Sequence, residues 1–118
     1  MDGSLKLKSN FITKDSGKRV KFKTGMVRDE QNGKPRYDLI EPVMLKRWAE
    51  LMGRGAQKYG ENNWRKANTQ EELDRFKASA YRHFVDWANN WNTEEDHAAA
   101  VFFNLSAFEY TKRKLDEI

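Results

Sequence analysis

The sequence predicts a mainly α-helical protein: a three-helix core preceded by short β-hairpins, which together make a small α+β fold. Three segments near residues 43–58, 69–90 and 94–115 repeat apolar residues at three- and four-residue steps, the spacing of one helix face. The first forty residues instead place glycine turns between short extended segments, which favours strands. At 118 residues the chain supports one core and not two. We therefore expect a flexible tail over residues 1–10 and a single domain over residues 11–118.

Two extended pairs are expected before the first helix. In the first pair, residues 11–13 and 19–22 flank a turn that ends at Gly17. In the second pair, residues 24–29 are joined to residues 37–40 through Asn32-Gly33, a dipeptide that favours tight hairpin turns. Strands this short are marginal alone and must pack on other elements.

The two long C-terminal helices carry recognisable start and turn signals. Thr69 and Glu72 have the spacing of a capping box, which predicts the start of the second helix. Residues 89–92 include three asparagines and predict a turn between the helices. Thr93 follows this turn, so we expect it to cap the third helix, with acidic residues in the first turn.

Charge and composition limit the classes of function. No apolar run approaches membrane-spanning length and the N-terminus lacks the apolar segment of a signal peptide, so we expect a cytoplasmic protein without a membrane partner. The absence of cysteine excludes disulfides and thiolate metal sites. Residues 1–38 hold 10 Lys/Arg against 5 Asp/Glu, and residues 39–118 hold 12 against 13. This basic N-terminal third suggests an anionic partner, and a solvated basic arm is the alternative.

Polar residues interrupt the apolar faces of the two long helices. His83, His97 and Asn104 stand where the pattern calls for Leu or Val. A buried polar group requires a partner, so these residues either are satisfied inside the core or line a pocket with Arg82 and Asp86 on its rim. Arg82 and Asp86 are four residues apart, and a surface ion pair would also explain them.

A divalent metal site for phosphate hydrolysis would need carboxylates, sometimes with histidine, on rigid elements. The candidates are His83, Asp86, Asp96 and His97, either as ligands or as acid and base groups. His83 and Asp86 are three residues apart and could reach one ion, whereas Asp96 and His97 are neighbours that diverge by about 100° on a helix. The cofactor, if the protein is an enzyme, is expected to be Mg²⁺, Mn²⁺ or Co²⁺.

Basic and aromatic residues favour binding of a phosphorylated ligand. Arginine forks suit phosphate oxygens, and Tyr59 and Trp64 could stack on a base whose edge Asn62 or Asn63 could read. The alternatives are ordinary surface charges and, for the two aromatics, closure of the core. A nucleotide is favoured over nucleic acid as the partner.

Several segments recur together in a known order: residues 24–29, 33–40, 55–60, 63–64, 79–83 and 95–100, leading to Asn104. They resemble the dATP/dGTP diphosphohydrolase N-terminal domain family of tailed phages across residues 20–110. The resemblance implies a phage protein that works in the cytoplasm of an infected bacterial host. It also implies a pocket containing His83, Asp96 and His97, together with Arg28, Lys34, Arg36, Lys58, Tyr59, Asn63, Trp64, Arg82 and Asn104.

The resemblance implies an activity on purine deoxynucleotides. Longer family members cleave purine deoxynucleoside triphosphates to monophosphate and diphosphate, and a separate MazG-like segment is the better candidate for that chemistry. Such enzymes hold Mg²⁺ with two acidic pairs; here Glu71 and Asp74 have the spacing of one pair, while Glu94 and His97 leave the other incomplete. We therefore expect binding of a purine nucleotide or nucleotide-derived signal without efficient turnover, as in a sponge that blunts a host defence. The alternatives are a metal-dependent dATP/dGTP diphosphohydrolase and a domain that binds a host protein.

Aromatic side chains surround the last predicted helix. Phe102, Phe103, Phe108 and Tyr110 point in several directions on a helical wheel. A single helix hairpin can hardly cover all four, so a homo-oligomer is expected.

Overall fold

The computed structural model describes residues 11–117, and the tail expected over residues 1–10 lies outside the described residues. The chain divides between Leu39 and Ile40 into two units, which are described separately. Three helices and a two-stranded antiparallel hairpin confirm the predicted small α+β fold. None of the helices in this part of the chain is both long and apolar enough to cross a membrane.

The described part of the N-terminal unit, residues 11–39, contains one hairpin rather than two. Strand β1 (Arg19–Lys21) runs antiparallel to β2 (Val27–Asp29), with Val20 opposite Arg28. The turn between them places Gly25 at φ +91°, and the amide of Gly25 donates to the carbonyl of Phe22. Both predicted strand pairs are therefore wrong. The turn at Gly25 instead joins a strand from the first predicted pair, β1, to a strand from the second, β2.

Local side-chain contacts explain why the outer predicted strands do not form. Asp29 accepts hydrogen bonds from the backbone amide and the hydroxyl of Ser16, so the segment before β1 folds around a side chain. Arg36 donates two hydrogen bonds to Asp38, of 2.8 and 2.9 Å, within a short 3₁₀ turn at Tyr37–Leu39. A turn of this kind cannot pair as an extended strand.

The helical unit contains α1 (Val43–Tyr59), α2 (Gln70–Asn89) and α3 (His97–Asp116), so the predicted three-helix core is confirmed. A 3₁₀ turn at Asn63–Lys66 joins α1 to α2. Helix α3 packs against both other helices and against this turn. The ammonium group of Lys114 donates to the carbonyl of Arg65 at 2.7 Å, which ties the end of α3 to the turn.

The capping box at the start of α2 is confirmed. The amide of Glu72 donates to the hydroxyl of Thr69, and the amide of Thr69 donates to the Glu72 carboxylate. The predicted cap at Thr93 is wrong, because Asn92 adopts φ +51° and the next three residues form a turn. Helix α3 begins three residues later than expected, with Asp96 as its N-cap.

The interior of the helical unit is built from small side chains. Its buried apolar residues are Ala67, Leu73, Ala80, Ala99, Ala100 and Ala107. The buried face of α3 also includes His97, Asn104 and Thr111. Larger aromatic rings cover this interior only in part, as where Trp64 meets Phe103 and Tyr110 edge to face.

Candidate ligand-binding cleft

A cleft of about 1210 Å³ opens in the helical unit. The second half of α1, the loop that follows it, the first half of α2 and the start of α3 supply its walls. Its apolar wall contains Leu51, Met52, Phe76 and Phe103. A cleft of this size, with apolar walls and a few polar groups, is typical of a small-molecule site.

Positive and negative side chains both line the cleft. The basic side chains are Arg54 and Lys58 on α1, Lys66 at the end of the 3₁₀ turn and Arg75 on α2. The acids are Glu72 on α2 and three consecutive residues before α3, Glu94, Glu95 and Asp96. The electrostatic potential in the cleft therefore depends on which of these carboxylates already accept hydrogen bonds from protein groups.

Two of the four acids are engaged elsewhere. Glu72 belongs to the capping box, and hydrogen bonds from the Asn68 amide and the Thr69 hydroxyl keep its pKa below the usual value. Asp96 accepts two hydrogen bonds from the Arg47 guanidinium, of 2.6 and 2.8 Å, and a third from the amide of Ala99. The Arg47 contact is the main reason that the pKa of Asp96 is lowered.

The two histidines form a direct pair behind the cleft. Nδ1 of His83 lies 2.9 Å from Nδ1 of His97, and Nε2 of His97 lies 2.7 Å from the carbonyl oxygen of Asn92. His97 is buried, and its Nε2 lies 3.9 Å from the carboxylate of Asp86. Burial lowers the pKa of His83, and the positive charge of Arg82 lowers it further. His83 therefore favours its neutral form.

Asn104 lies on the same buried face of α3 and also lines the cleft. Its side-chain amide donates to the carbonyl of Ala100 at 2.8 Å, four residues earlier on its own helix. Within residues 11–117 its Oδ1 makes no hydrogen bond, so it is available as an acceptor. Asn104 and His83 thus contribute polar groups to a largely apolar wall.

The two aromatics predicted to stack on a base differ in exposure. Tyr59 is 61% exposed at the end of α1, and the ammonium group of Lys58 lies 5.0 Å from its ring centre. Trp64 instead packs edge to face on Tyr110 at 5.1 Å, and its indole nitrogen is buried without a hydrogen-bond partner among the described residues. Tyr59 is therefore free to stack, whereas Trp64 mainly closes the core.

The structure brings together seven of the thirteen residues predicted for the site. The cleft is lined by Lys58, Tyr59, Asn63, Trp64, His83, Asp96 and Asn104. Asp86 and His97 line a smaller cavity of about 380 Å³, which also includes Asp96. Arg82 lines neither cavity; its guanidinium donates to the hydroxyl of Ser79 at 3.2 Å. Arg82 and Asp86, both within the described range, do not form the suggested ion pair.

The three basic residues predicted near the N-terminal turn belong to the other unit. Arg36 is paired with Asp38, and the ammonium group of Lys34 lies 3.7 Å from Asp29. Arg28 lies opposite Val20 in the hairpin. Their predicted contribution to ligand binding stays a prediction.

Sequence reasoning missed Arg47, Lys66 and Arg75. No local pattern points to Arg47, since its partner Asp96 is 49 residues away. Among residues 11–117, no three His, Asp or Glu side chains are grouped so that they could hold a metal ion. The predicted metal ligands therefore lie near one another but do not form a metal-binding group; they are His83, Asp86, Asp96 and His97.

Comparison with known proteins adds one match. A family model described as dATP/dGTP diphosphohydrolase, N-terminal, matches residues 24–117, which is most of the chain. No curated protein and no solved structure matches the chain.

Proposed function

Because the chain belongs to the dATP/dGTP diphosphohydrolase N-terminal domain family, we propose that it is a phage protein whose helical cleft binds a purine nucleotide or a nucleotide-derived signal without efficient turnover. The observation that carries this proposal is the composition of the cleft. It combines an exposed aromatic ring, several basic side chains and an apolar wall with the polar side chains of His83 and Asn104.

The individual groups suit the parts of a nucleotide. Tyr59 offers a ring on which a base can stack. Arg54, Lys58 and Arg75 can donate to phosphate oxygens, and charge-assisted hydrogen bonds of this kind are stronger than neutral ones. His83 and Asn104 add acceptors for a base edge. The same chemistry would fit a cyclic dinucleotide or another nucleotide-derived signal.

The state of the acids favours binding over turnover. Magnesium in nucleotide-processing sites is held by carboxylates together with phosphate oxygens. Glu72 and Asp96 are already bound to protein groups, which leaves Glu94 and Glu95 as the remaining carboxylates of the cleft. A tight binder without turnover would lower the free concentration of its ligand, so it could act as a sponge against a host defence.

The family description supports a second candidate, metal-dependent release of diphosphate from dATP or dGTP. In that case Glu94 and Glu95 would have to hold Mg²⁺, Mn²⁺ or Co²⁺ together with phosphate oxygens of the substrate, since no three His, Asp or Glu side chains among residues 11–117 form a metal-holding group, and His83 would have to act as the base. Chromatography of dATP and dGTP incubated with the full chain and each metal separates the two candidates. Intact substrate supports the binder; conversion to the monophosphate supports the enzyme.

Calorimetry of the full chain with dATP, dGTP, dCTP, dTTP, cyclic dinucleotides and cyclic ADP-ribose derivatives tests binding itself. We expect the purine nucleotides to bind at submillimolar concentration and more tightly than the pyrimidine nucleotides. Tyr59→Ala and Lys58→Ala should each weaken binding by about 1–3 kcal/mol, through loss of stacking or of a charge-assisted hydrogen bond. Lys112→Ala is a matched control, because Lys112 is exposed, pairs with Asp116 and does not line the cleft. Absence of binding, or equal affinity in the parent and both cleft variants, would overturn the proposal.

We also propose that two copies associate through the outer face of α2. The aromatics of α3 are less available than the sequence suggests, since Phe103 and Tyr110 pack on Trp64 within one chain. Tyr81, Phe84 and Trp87 are instead at least half exposed on α2, which amounts to about 350 Å² of aromatic surface per copy. A stable pair buries about 800 Å² per partner, so this face would form the centre of the interface.

A further inference from the structure

The hydrogen bonds of the histidine pair determine where its protons lie. The carbonyl of Asn92 can only accept, so Nε2 of His97, 2.7 Å away, carries a hydrogen. A neutral imidazole carries one hydrogen, and in His97 that hydrogen is already on Nε2. Nδ1 of His97 is therefore bare. It lies 2.9 Å from Nδ1 of His83, so the hydrogen shared between these two atoms belongs to His83.

This assignment leaves Nε2 of His83 as a bare acceptor. Nδ1 of His83 is occupied by His97, which does not line the cleft, so Nε2 is the ring nitrogen of His83 that is left to bind a ligand there. An isolated histidine can exchange its two neutral forms, but this one is held in one form by a chain of hydrogen bonds that ends at a backbone carbonyl. The acceptor is thus fixed before any ligand arrives.

A second acceptor lies on the same wall. Asn104 donates from its amide nitrogen to Ala100, and this orients its Oδ1 as the free end of the side chain. A ligand that replaces water at this wall must supply hydrogen-bond donors, because an unpaired buried acceptor carries a free-energy penalty. Exocyclic amino groups are the donors that adenine and guanine have in common.

We infer that Nε2 of His83 is a specificity determinant that selects ligands bearing an amino group on the base, and that His97 is the positioning residue which fixes it as an acceptor. This inference rests on the proposed nucleotide binding. It predicts that a purine nucleotide without the amino group binds more weakly than its amino counterpart, although the two have nearly the same shape and charge.

The first test needs no ligand. Long-range proton–nitrogen correlation spectra of the full chain with ¹⁵N-labelled histidine, at neutral pH, should show hydrogen on Nδ1 of His83 and on Nε2 of His97. Hydrogen on Nε2 of His83 would overturn the inference, whatever the outcome of the binding experiments. His97→Phe should release His83 to the form with hydrogen on Nε2, and the spectrum reports this directly.

The second test compares dATP with the triphosphate of unsubstituted purine 2′-deoxyriboside, which lacks the 6-amino group. The parent should bind dATP about tenfold more tightly, and His83→Ala should remove this preference. Equal affinity for both nucleotides would overturn the inference while leaving the proposed function intact. Failure of both nucleotides to bind would overturn the proposed function, and the spectrum would still decide the state of His83.

Discussion

Replacement of Asp96 should loosen the junction between α1 and α3. One oxygen of this carboxylate accepts from the amide of Ala99 at 3.1 Å and so caps α3. The same carboxylate receives two hydrogen bonds from Arg47 on α1. Asp96 therefore combines a helix cap with an ion pair between two helices, and two substitutions can separate these contributions.

The structure gives the expected magnitudes. Loss of an N-cap side chain to alanine typically lowers the free energy of unfolding by about 1 kcal/mol. The carboxylate of Asp96 is only 21% exposed but Arg47 is 41% exposed, so the charge of Asp96 should contribute about 1 kcal/mol, as in a well-formed surface pair. Asp96→Ala should thus lose about 2 kcal/mol. Asp96→Asn keeps a good capping residue and should lose about half as much.

Urea denaturation of the full chain, followed by far-ultraviolet circular dichroism at one protein concentration, measures these differences. Arg47→Met is the matched background, since it keeps the length of the side chain and removes its charge. In that background Asp96→Asn should have little effect, because the ion pair is already absent. Equal stability of the Ala and Asn variants would refute the capping contribution, and an unchanged effect of Asp96→Asn in the Arg47→Met background would refute the ion pair.

The pH dependence of the same pair has a definite sign. Arg47 lowers the pKa of Asp96 in the folded state below its unfolded value of about 3.9. The contribution of the charge is therefore complete above the unfolded pKa and is lost as the pH falls through the folded pKa. The difference in stability between the parent and Asp96→Asn should be constant from about pH 5 to pH 8 and should narrow below about pH 4. A constant difference down to the lowest pH at which both remain folded would contradict this account.

Two further predictions concern α3 and the surface of α2. The hydroxyl of Thr111 is buried without a partner among the described residues, so Thr111→Val should raise the free energy of unfolding by about 1 kcal/mol without affecting ligand binding. Asn104→Leu should also stabilise the protein but weaken nucleotide binding. Urea denaturation measures the stability of both variants and calorimetry measures their binding. Loss of binding in Thr111→Val would contradict the expected difference between the two positions. Sedimentation should show a dimer that Trp87→Lys converts to a monomer, and a parent that stays monomeric at high concentration would refute self-association.

The parts of the fold that depend on residues close in sequence could be predicted, whereas contacts between residues distant in sequence could not. The helices and the box at Thr69 follow from periodic spacing and a three-residue contact. The start of α3 was predicted at Thr93 because a threonine before acidic residues fits a cap. Asp96 is the cap instead, with an additional hydrogen-bond partner from α1, far away in sequence. The same limit applies to the site: His83 and Asn104 were visible as polar interruptions, but nothing local indicated Arg47.

The polar stripe on α3 is difficult to explain by folding alone. His97, Asn104 and Thr111 recur seven residues apart on a buried face, where a fully buried Val or Leu would contribute about 1.5–3 kcal/mol each. His97 has two hydrogen-bond partners from outside α3, and Asn104 has only a carbonyl of its own helix. Asn104 lines the cleft and His97 holds His83. Both polar residues thus occupy a core built mainly from alanine, where they stabilise the fold less than apolar residues would. Since a bound ligand stabilises only the folded state, a nucleotide donating to His83 and Asn104 would offset that loss, which is why we place the ligand against this wall.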